Sequence, residues 1–225
     1  MRNFLPWVAV LVLVTACTVP KRPAPAGAGS SAPVGGAPAT VEELAAAIKA
    51  DSRRSDKETD GKARLQLAQE ANGYAASCIA QAPQAAACLY GQGVAQGLDA
   101  QAHPTRALPL LKSMLQSLSS AEAADPSYDE GGPARVQALV LARAPGWPVG
   151  PGDADAAVEA ARRAVSVRPD YPPNLLALGE ALAKTGDPNE ARDAYAKARD
   201  AAQALPPGED RDGWVAEAER GLQKK

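Results

Sequence analysis

The chain has 225 residues, of which 46% are hydrophobic but only 4% are aromatic. Alanine makes up much of the difference, and alanine-rich apolar surface is typical of closely packed helices because alanine has the highest helix propensity. The 24 lysines and arginines are balanced by 26 acidic residues, which argues against a nucleic-acid-binding protein, since such proteins carry a basic excess. One histidine and three cysteines leave little material for a metal site or a nucleophilic centre.

Residues 1–17 have the pattern of an export signal. Arg2 precedes an uncharged apolar run from Phe4 to Val14. A helix of this length spans only about 16 Å, which is too short for a bilayer core of ~30 Å, so the run has signal-peptide length. It ends in Val14-Thr15-Ala16-Cys17, which resembles the lipobox of bacterial lipoproteins.

The lipobox resemblance implies cleavage before Cys17, so that residues 1–16 form the signal peptide and Cys17 is the lipid attachment site. The sulfur would carry a diacylglycerol and the amine an acyl chain, and three chains suffice for stable membrane anchoring. Thr18 follows the cysteine, which resembles Gram-negative lipoproteins that are released to the outer membrane and face the periplasm. The alternative is an ordinary secretory signal that ends in Ala-Cys by chance.

Residues 17–40 are predicted to be the lipidated cysteine and a flexible linker. Residues 18–40 are rich in proline, alanine, glycine and serine and contain no aromatic residue, so they cannot bury enough surface to offset chain entropy. A coil of this length spans on the order of 26 Å. We therefore interpret the segment as a tether between the membrane and residues 41–225.

From residue 41 onward the apolar positions recur at helical spacing, and no segment alternates as a strand does. The predicted fold class is all-α, a row of stacked antiparallel helical hairpins. Asp153 and Asn174 are suited to capping helix starts, Pro188 to the first helical position after Asp187, and Gly186 to a helix end. The predicted helices span residues 41–53, 58–81, 84–98, 105–124, 133–144, 153–168, 173–185, 188–204 and 209–223.

The last hairpin has the residue spacing of a tetratricopeptide repeat, a 34-residue helix–turn–helix unit. Gly179 and Ala191 are expected to let its two helices approach closely, and Tyr195 to fill the groove beside them. A small residue followed five positions later by proline recurs at Cys78, Ala121 and Ala164. The predicted repeat-core residues are Tyr90, Gly91, Ala121, Ala164, Leu178, Gly179, Ala191, Tyr195 and Ala198.

This spacing predicts about four hairpins and a C-terminal cap helix, 209–223, whose Trp214 seals the last core layer. The resulting architecture is an α-solenoid of the tetratricopeptide type. The alternative is a generic alanine-rich bundle without true repeats.

Two insertions break the strict period, SYDEGGPAR at 127–135 and APGWPVGPGD at 144–153. Together with the segment ALPLLKSMLQSLSSAEAADPSYDEGGP, they resemble the TatT component family of small periplasmic lipoproteins. Members of that family are associated with TRAP-type transporters, which import organic acids by means of a periplasmic substrate-binding protein. The resemblance covers roughly residues 60–205 and implies a helical-repeat fold.

Cys78 and Cys88 lie five residues on either side of Pro83, the predicted turn between two antiparallel helices. Equal distance from the turn puts both sulfurs at the same height, and an export signal implies an oxidising compartment. The spacing therefore predicts a disulfide. The alternative is a pair of small buried thiols.

No catalytic, metal or cofactor site is predicted. His103 lies in a loop directly before a proline, where a solvated histidine is expected. The glycines of GQGVAQG, residues 91–97, fall within a predicted helix, whereas a dinucleotide site needs a strand before them and a helix start after them. Asp153 and Asp155 have the spacing of metal ligands but lack the rest of a calcium loop.

Trp147 is the largest apolar side chain in either insertion, and Tyr128 is the second. Extra loops in repeat proteins often lie on the binding face, and exposed tryptophan is a frequent hot spot. We therefore expect Trp147 and Tyr128 to contact a periplasmic protein, for which a transporter's substrate-binding subunit is the leading candidate. The alternative is a loop aromatic that packs onto its own helices.

These features predict a lipid-anchored periplasmic scaffold for protein interactions, with no enzymatic activity and no nucleic-acid partner. The family resemblance implies an accessory of a TRAP-type transporter and its substrate-binding protein. One alternative is a pilotin-like lipoprotein that assists assembly of an outer-membrane complex. A hydrolase or cell-wall enzyme is the alternative from a different functional class.

Overall fold

The computed structural model describes residues 39–223, so the predictions for the signal peptide, Cys17 and most of the linker lie outside the described residues. Within this range the chain forms helices and no strand, as predicted, apart from one isolated bridge between Gly146 and Gly152. The helices are α1 (Val41–Lys57), α2 (Gly61–Gln81), α3 (Ala86–Ala102), α4 (Ala107–Ala124), α5 (Tyr128–Arg143), α6 (Ala154–Val167), α7 (Pro172–Thr185), α8 (Pro188–Gln203) and α9 (Glu209–Gln223).

The helices begin and end at residues whose chemistry favours those boundaries. The side chain of Asp153 accepts a hydrogen bond from the backbone of Ala156 at the start of α6, as predicted. Pro188 opens α8 directly after its cap, Asp187, and Gly186 ends α7 in the left-handed conformation. The predicted cap at Asn174 is wrong, because α7 begins before this residue and already includes it.

Each helix packs against the next one along the chain, and the odd-numbered helices also contact one another. Close backbone contacts join α1 to α3, α3 to α5, α5 to α7 and α7 to α9. The even-numbered helices of the described chain lie further apart and are linked only through side chains, as in the ion pairs of α6 with Glu122 of α4 and Glu190 of α8. The array of hairpins must therefore curve with the odd-numbered helices on its concave side, which we call the inner face. No helix of residues 39–223 is long and apolar enough to span a bilayer.

A disulfide between Cys78 and Cys88 joins the end of α2 to the start of α3. The two Cα atoms are 5.2 Å apart, and both side chains are fully buried beside Leu44 of α1. The bridge therefore lies where the first three helices meet.

Tyr195 of α8 is held between two helices that approach it through glycine. A Cβ atom on Gly179 of α7 would lie 2.9 Å from the tyrosine ring, and one on Gly221 of α9 would lie 2.5 Å from it. Burial raises the pKa of Tyr195 to about 12. All the predicted repeat-core residues are buried except Leu178, which is partly buried against the same cluster.

This packing gives a paired test on one helix. We expect Gly221→Ala to lower the free energy of unfolding by about 1–3 kcal/mol, because the new methyl group overlaps the ring of Tyr195. Gly213→Ala is the matched control, since a Cβ there has no neighbour within 4 Å and alanine is the better helix former by about 0.5–1 kcal/mol. Urea denaturation of both variants measures the difference, and equal stability would show that α9 does not pack on Tyr195.

Candidate partner-binding surfaces

The first insertion forms a left-handed turn at the start of α5. Asp129, Glu130 and Gly131 have φ values of 52°, 58° and 82°, so the regular helix begins only after them, close to the predicted start at residue 133. Gly131 also packs so tightly that a Cβ would lie 3.1 Å from the carbonyl oxygen of Ala164. Positive φ in non-glycine residues persists only where the surroundings hold it, and here the turn is fixed by contacts to four other helices.

Asp129 is the centre of these contacts. Its carboxylate accepts hydrogen bonds from Lys49 Nζ of α1 at 2.6 Å, Arg135 Nη2 of α5 at 2.8 Å and the hydroxyl group of Tyr90 of α3 at 3.2 Å. Tyr90 is almost fully buried, and this burial is the main cause that raises its pKa. One carboxylate thus links three odd-numbered helices.

Arg135 and Asn174 extend the network to α7. Arg135 Nη1 donates to Asn174 Oδ1 at 2.9 Å, and the guanidinium lies 5.4 Å from the centre of the Tyr171 ring. The amide of Asn174 in turn donates to the backbone oxygens of Glu130 and Ala164, at 2.8 and 2.9 Å. Asn174 is fully buried, so it secures the left-handed turn instead of capping α7.

Tyr128 belongs to the packing around this turn. Its ring meets that of Tyr90 edge to face at a centroid distance of 5.4 Å, and Lys49 Nζ lies 5.2 Å from its centre. Half burial raises the pKa of its hydroxyl group. Tyr128 therefore contributes to the inner structure of the repeat array and is not a freely exposed anchor.

Ion pairs cross the inner face between helices that are distant in sequence. Arg143 of α5 binds Glu180 of α7 through two hydrogen bonds of 2.7 Å. Lys57 of α1 pairs with Glu209 at the start of α9. The second ion pair therefore brings the end of the first described helix to the start of the last one.

The two insertions do not form one surface. The 127–135 turn lies at the start of α5 and the 144–153 loop follows its end, so about 16 Å of helix separates them. Tyr128 and Trp147 therefore lie at opposite ends of α5, and their contact with a common partner stays a prediction.

The 144–153 loop presents Trp147 to solvent. The side chain is 89% exposed, and Val149 beside it is 63% exposed. The loop is nevertheless built on backbone hydrogen bonds, from Gly150 N to Gly146 O at 3.0 Å and from Gly152 N to Pro145 O at 2.8 Å. An ordered backbone therefore holds a large apolar side chain in water, which is the opposite of a loop aromatic packed onto its own helices.

An apolar groove of about 440 Å³ opens between α4 and α5 next to this loop. Leu108, which is 36% exposed, directly follows Ala107 of the groove wall and lies beside Gly150 of the loop. We call this cavity the α4–α5 groove. Its wall consists of Ala107, Leu111 and Met114 of α4, Val136, Leu139 and Val140 of α5, Gly97, Ala100 and Gln101 of α3, and Ser52, Arg143, Ala144 and Pro145.

Titratable side chains in the described range do not assemble into a metal site. No group of three or more histidine, cysteine, aspartate or glutamate residues between 39 and 223 is placed to hold a metal ion. His103 Nδ1 lies 2.6 Å from a carboxylate oxygen of Asp99 on the preceding helical turn. It is partly exposed at the end of α3, as expected of a loop histidine.

Comparison with known proteins agrees with the hairpin geometry. Residues 149–207, which include α6, α7 and α8, match the tetratricopeptide repeat family. The chain is similar to the crystal structure of a thermophilic TPR protein from Thermus thermophilus, with a TM-score of 0.52 and 22% identity over 80% of this chain and 92% of that one. The fold is a tetratricopeptide-type α-solenoid.

Two crystal structures of MamA are similar at 19% and 18% identity, each with a TM-score of 0.46. They cover 72% and 74% of this chain, and 86% and 87% of their own. No curated protein matches the sequence.

In a tetratricopeptide solenoid each hairpin has a first and a second helix, and here the odd-numbered helices are the first ones. Solenoids of this type expose extended surfaces that bind other macromolecules, and the fold therefore indicates a protein-interaction scaffold. Two surfaces are available on it, the inner face with its network around Asp129 and the apolar end around Trp147.

Proposed function

We propose that this protein is a lipid-anchored scaffold of the bacterial cell envelope, which binds another protein and catalyses no reaction. The anchor is Cys17, the tether is the segment up to residue 40, and the binding element is the solenoid that follows. In this proposal the bound protein is the substrate-binding subunit of a TRAP-type transporter, and the chain is an accessory of that transporter.

The exposed tryptophan carries this proposal. Trp147 is 89% exposed on a loop whose backbone is hydrogen-bonded into one shape, and an anchor that is ordered in advance loses little entropy on binding. Tryptophan at the centre of an interface commonly contributes a large share of the binding free energy. Val149 of the same loop is also exposed, and Leu108 lies beside Gly150 of this loop; exposed apolar side chains grouped in this way on a monomer mark a contact site.

The charge distribution and the tether fit a contact of this kind. No charged residue occurs between Ala144 and Gly152, so binding there should depend weakly on salt. A tether holds the solenoid close to one membrane, and the raised effective concentration lets a contact of modest affinity suffice. The resemblance of the two insertions to the TatT family supports the transporter as the setting.

Replacement of Trp147 tests the proposal. Trp147→Ala should weaken capture of the substrate-binding protein from crosslinked cells by about tenfold or more, as truncation of a hot spot does. Circular dichroism should remain unchanged, because the side chain packs on little else. Leu205→Ala is the matched control, since Leu205 is another large apolar side chain that is 40% exposed, but it precedes α9 and lies outside the patch.

The possible outcomes separate the candidates. Undiminished capture by the Trp147 variant would indicate that the partner binds to the inner face instead. Recovery of an outer-membrane pore protein instead of a transporter subunit would favour the pilotin-like function.

A further inference from the structure

The apolar end of the solenoid carries an exposed tryptophan and an open groove that do not contact each other within one chain. Trp147 projects into solvent, with 89% of its side chain exposed. The α4–α5 groove, whose wall includes Pro145 only two residues away, is empty of side chains over about 440 Å³. Because Trp147 is so exposed, it does not fill the groove beside it, and the ordered loop keeps the two apart.

We infer that two copies of this chain pair through this end, each placing Trp147 into the α4–α5 groove of the other. A two-fold interface brings the same surface of both subunits together. The tryptophan of each copy can therefore enter the groove of the other, so that the contact forms twice. A cavity of this size lies within the range of ~300–1,000 Å³ that encloses whole small ligands, and it therefore has room for an indole ring.

The amount of apolar surface is sufficient for a specific dimer. Two tryptophans that enter the open grooves bury at most about 300–500 Å² of their own surface, and the groove walls opposite lose further area. Val149, which is 63% exposed in the same loop, and Leu108, which is 36% exposed beside Gly150 of that loop, add to both sides. The total reaches on the order of 1,200 Å², the lower end of stable protein interfaces.

The charges of the patch favour pairing as well. Residues 144–152 contain no charged side chain, so two chains of equal net charge meet there without direct repulsion. Arg143 lines the groove and is held in place by its two hydrogen bonds to Glu180. A guanidinium fixed in this way can stack on an indole ring that enters from the second copy.

This inference rests on the proposed function only in using the same contact surface. Pairing and binding of the transporter subunit exclude each other, because both cover Trp147. The dimer is then the resting form of the scaffold, and the substrate-binding protein competes with the second copy.

Sedimentation equilibrium of the purified full-length chain in mild detergent tests the pairing. The wild-type chain should dimerise, and Trp147→Ala should raise the dissociation constant by about tenfold or more, as loss of a hot spot does. Ala107→Phe should have the same effect from the other side, because it fills the groove. Leu205→Ala should leave the dimer unchanged, and circular dichroism should show equal helicity in all variants.

Mixing the two disabled variants makes the test specific for reciprocal insertion. The Ala107→Phe chain keeps its tryptophan and the Trp147→Ala chain keeps its groove, so one of the two contacts can form between them. The mixture should therefore dimerise more strongly than either variant alone. If Ala107→Phe does not fold, the comparison of Trp147→Ala with Leu205→Ala still decides whether the tryptophan holds the dimer.

A wild-type chain that stays monomeric well above the concentration used for capture, or a dimer that survives Trp147→Ala, would overturn the inference. Loss of transporter-subunit capture in Trp147→Ala together with a monomeric wild type would refute pairing and leave the proposed function standing. A dimer that depends on Trp147 while capture is unaffected would support pairing and refute the docking site of the proposed function.

Discussion

Asp129→Ala is expected to lower the free energy of unfolding by about 3 kcal/mol, because it leaves a buried arginine without its carboxylate partner. The side chain of Arg135 is only 10% exposed. Removal of the carboxylate also takes the acceptor away from Tyr90, which is almost fully buried, and from Lys49. Urea denaturation followed by circular dichroism measures the loss.

The neighbouring residue provides a matched control for this variant. Glu130 has a φ of 58°, against 52° for Asp129, so alanine meets nearly the same backbone conformation at both positions. The side chain of Glu130, however, makes only an exposed ion pair with Arg168, and such pairs contribute about 0–1 kcal/mol. Glu130→Ala should therefore lower the free energy of unfolding much less than Asp129→Ala does. If the two variants lose equal stability, the backbone conformation and not the network determines the cost.

The sequence was sufficient to predict the helices because each boundary has a local chemical cause. A proline stands two residues after the end of α2, α4 and α6, and Asp153 and Asp187 cap the helices that follow them. The contacts of Gly179 with Tyr195 were likewise predictable, since the repeat spacing fixes which positions of two adjacent helices face each other.

The network around Asp129 could not be predicted in the same way, because its members are far apart in the chain. Lys49 lies 80 residues from Asp129, and Asn174 lies 39 from Arg135. Local sequence offers one signal for it, the Gly131-Gly132 pair after two acidic residues, which favours a left-handed turn. Asparagine near a helix start usually serves as a cap, which favours that role for Asn174 from sequence, whereas tertiary contacts with Arg135 and Glu130 decide its role here.

The position of the two insertions shows a second limit of sequence reasoning. The first insertion precedes α5 and the second follows it. Their separation follows from the length of α5, since a helix that spans the hairpin puts its two ends on opposite edges of the array. The α4–α5 groove has no sequence signature either, because alanine, leucine and valine at helical spacing describe a filled interface equally well.

Reduction of the Cys78–Cys88 disulfide is expected to lower the free energy of unfolding by about 3 kcal/mol, which corresponds to a fall in Tm of roughly 6–12 °C. The bridge closes a loop with a sequence separation of 10 and so restricts the unfolded chain, while the contacts of α2 with α3 keep the folded hairpin in place without it. Thermal unfolding with and without reductant measures the shift. The double variant Cys78→Ala/Cys88→Ala should resemble the reduced wild type and should not respond to reductant. An unchanged Tm on reduction of the wild type would mean that the hairpin gains nothing from the bridge, and that α1, α2 and α3 are held together by packing alone.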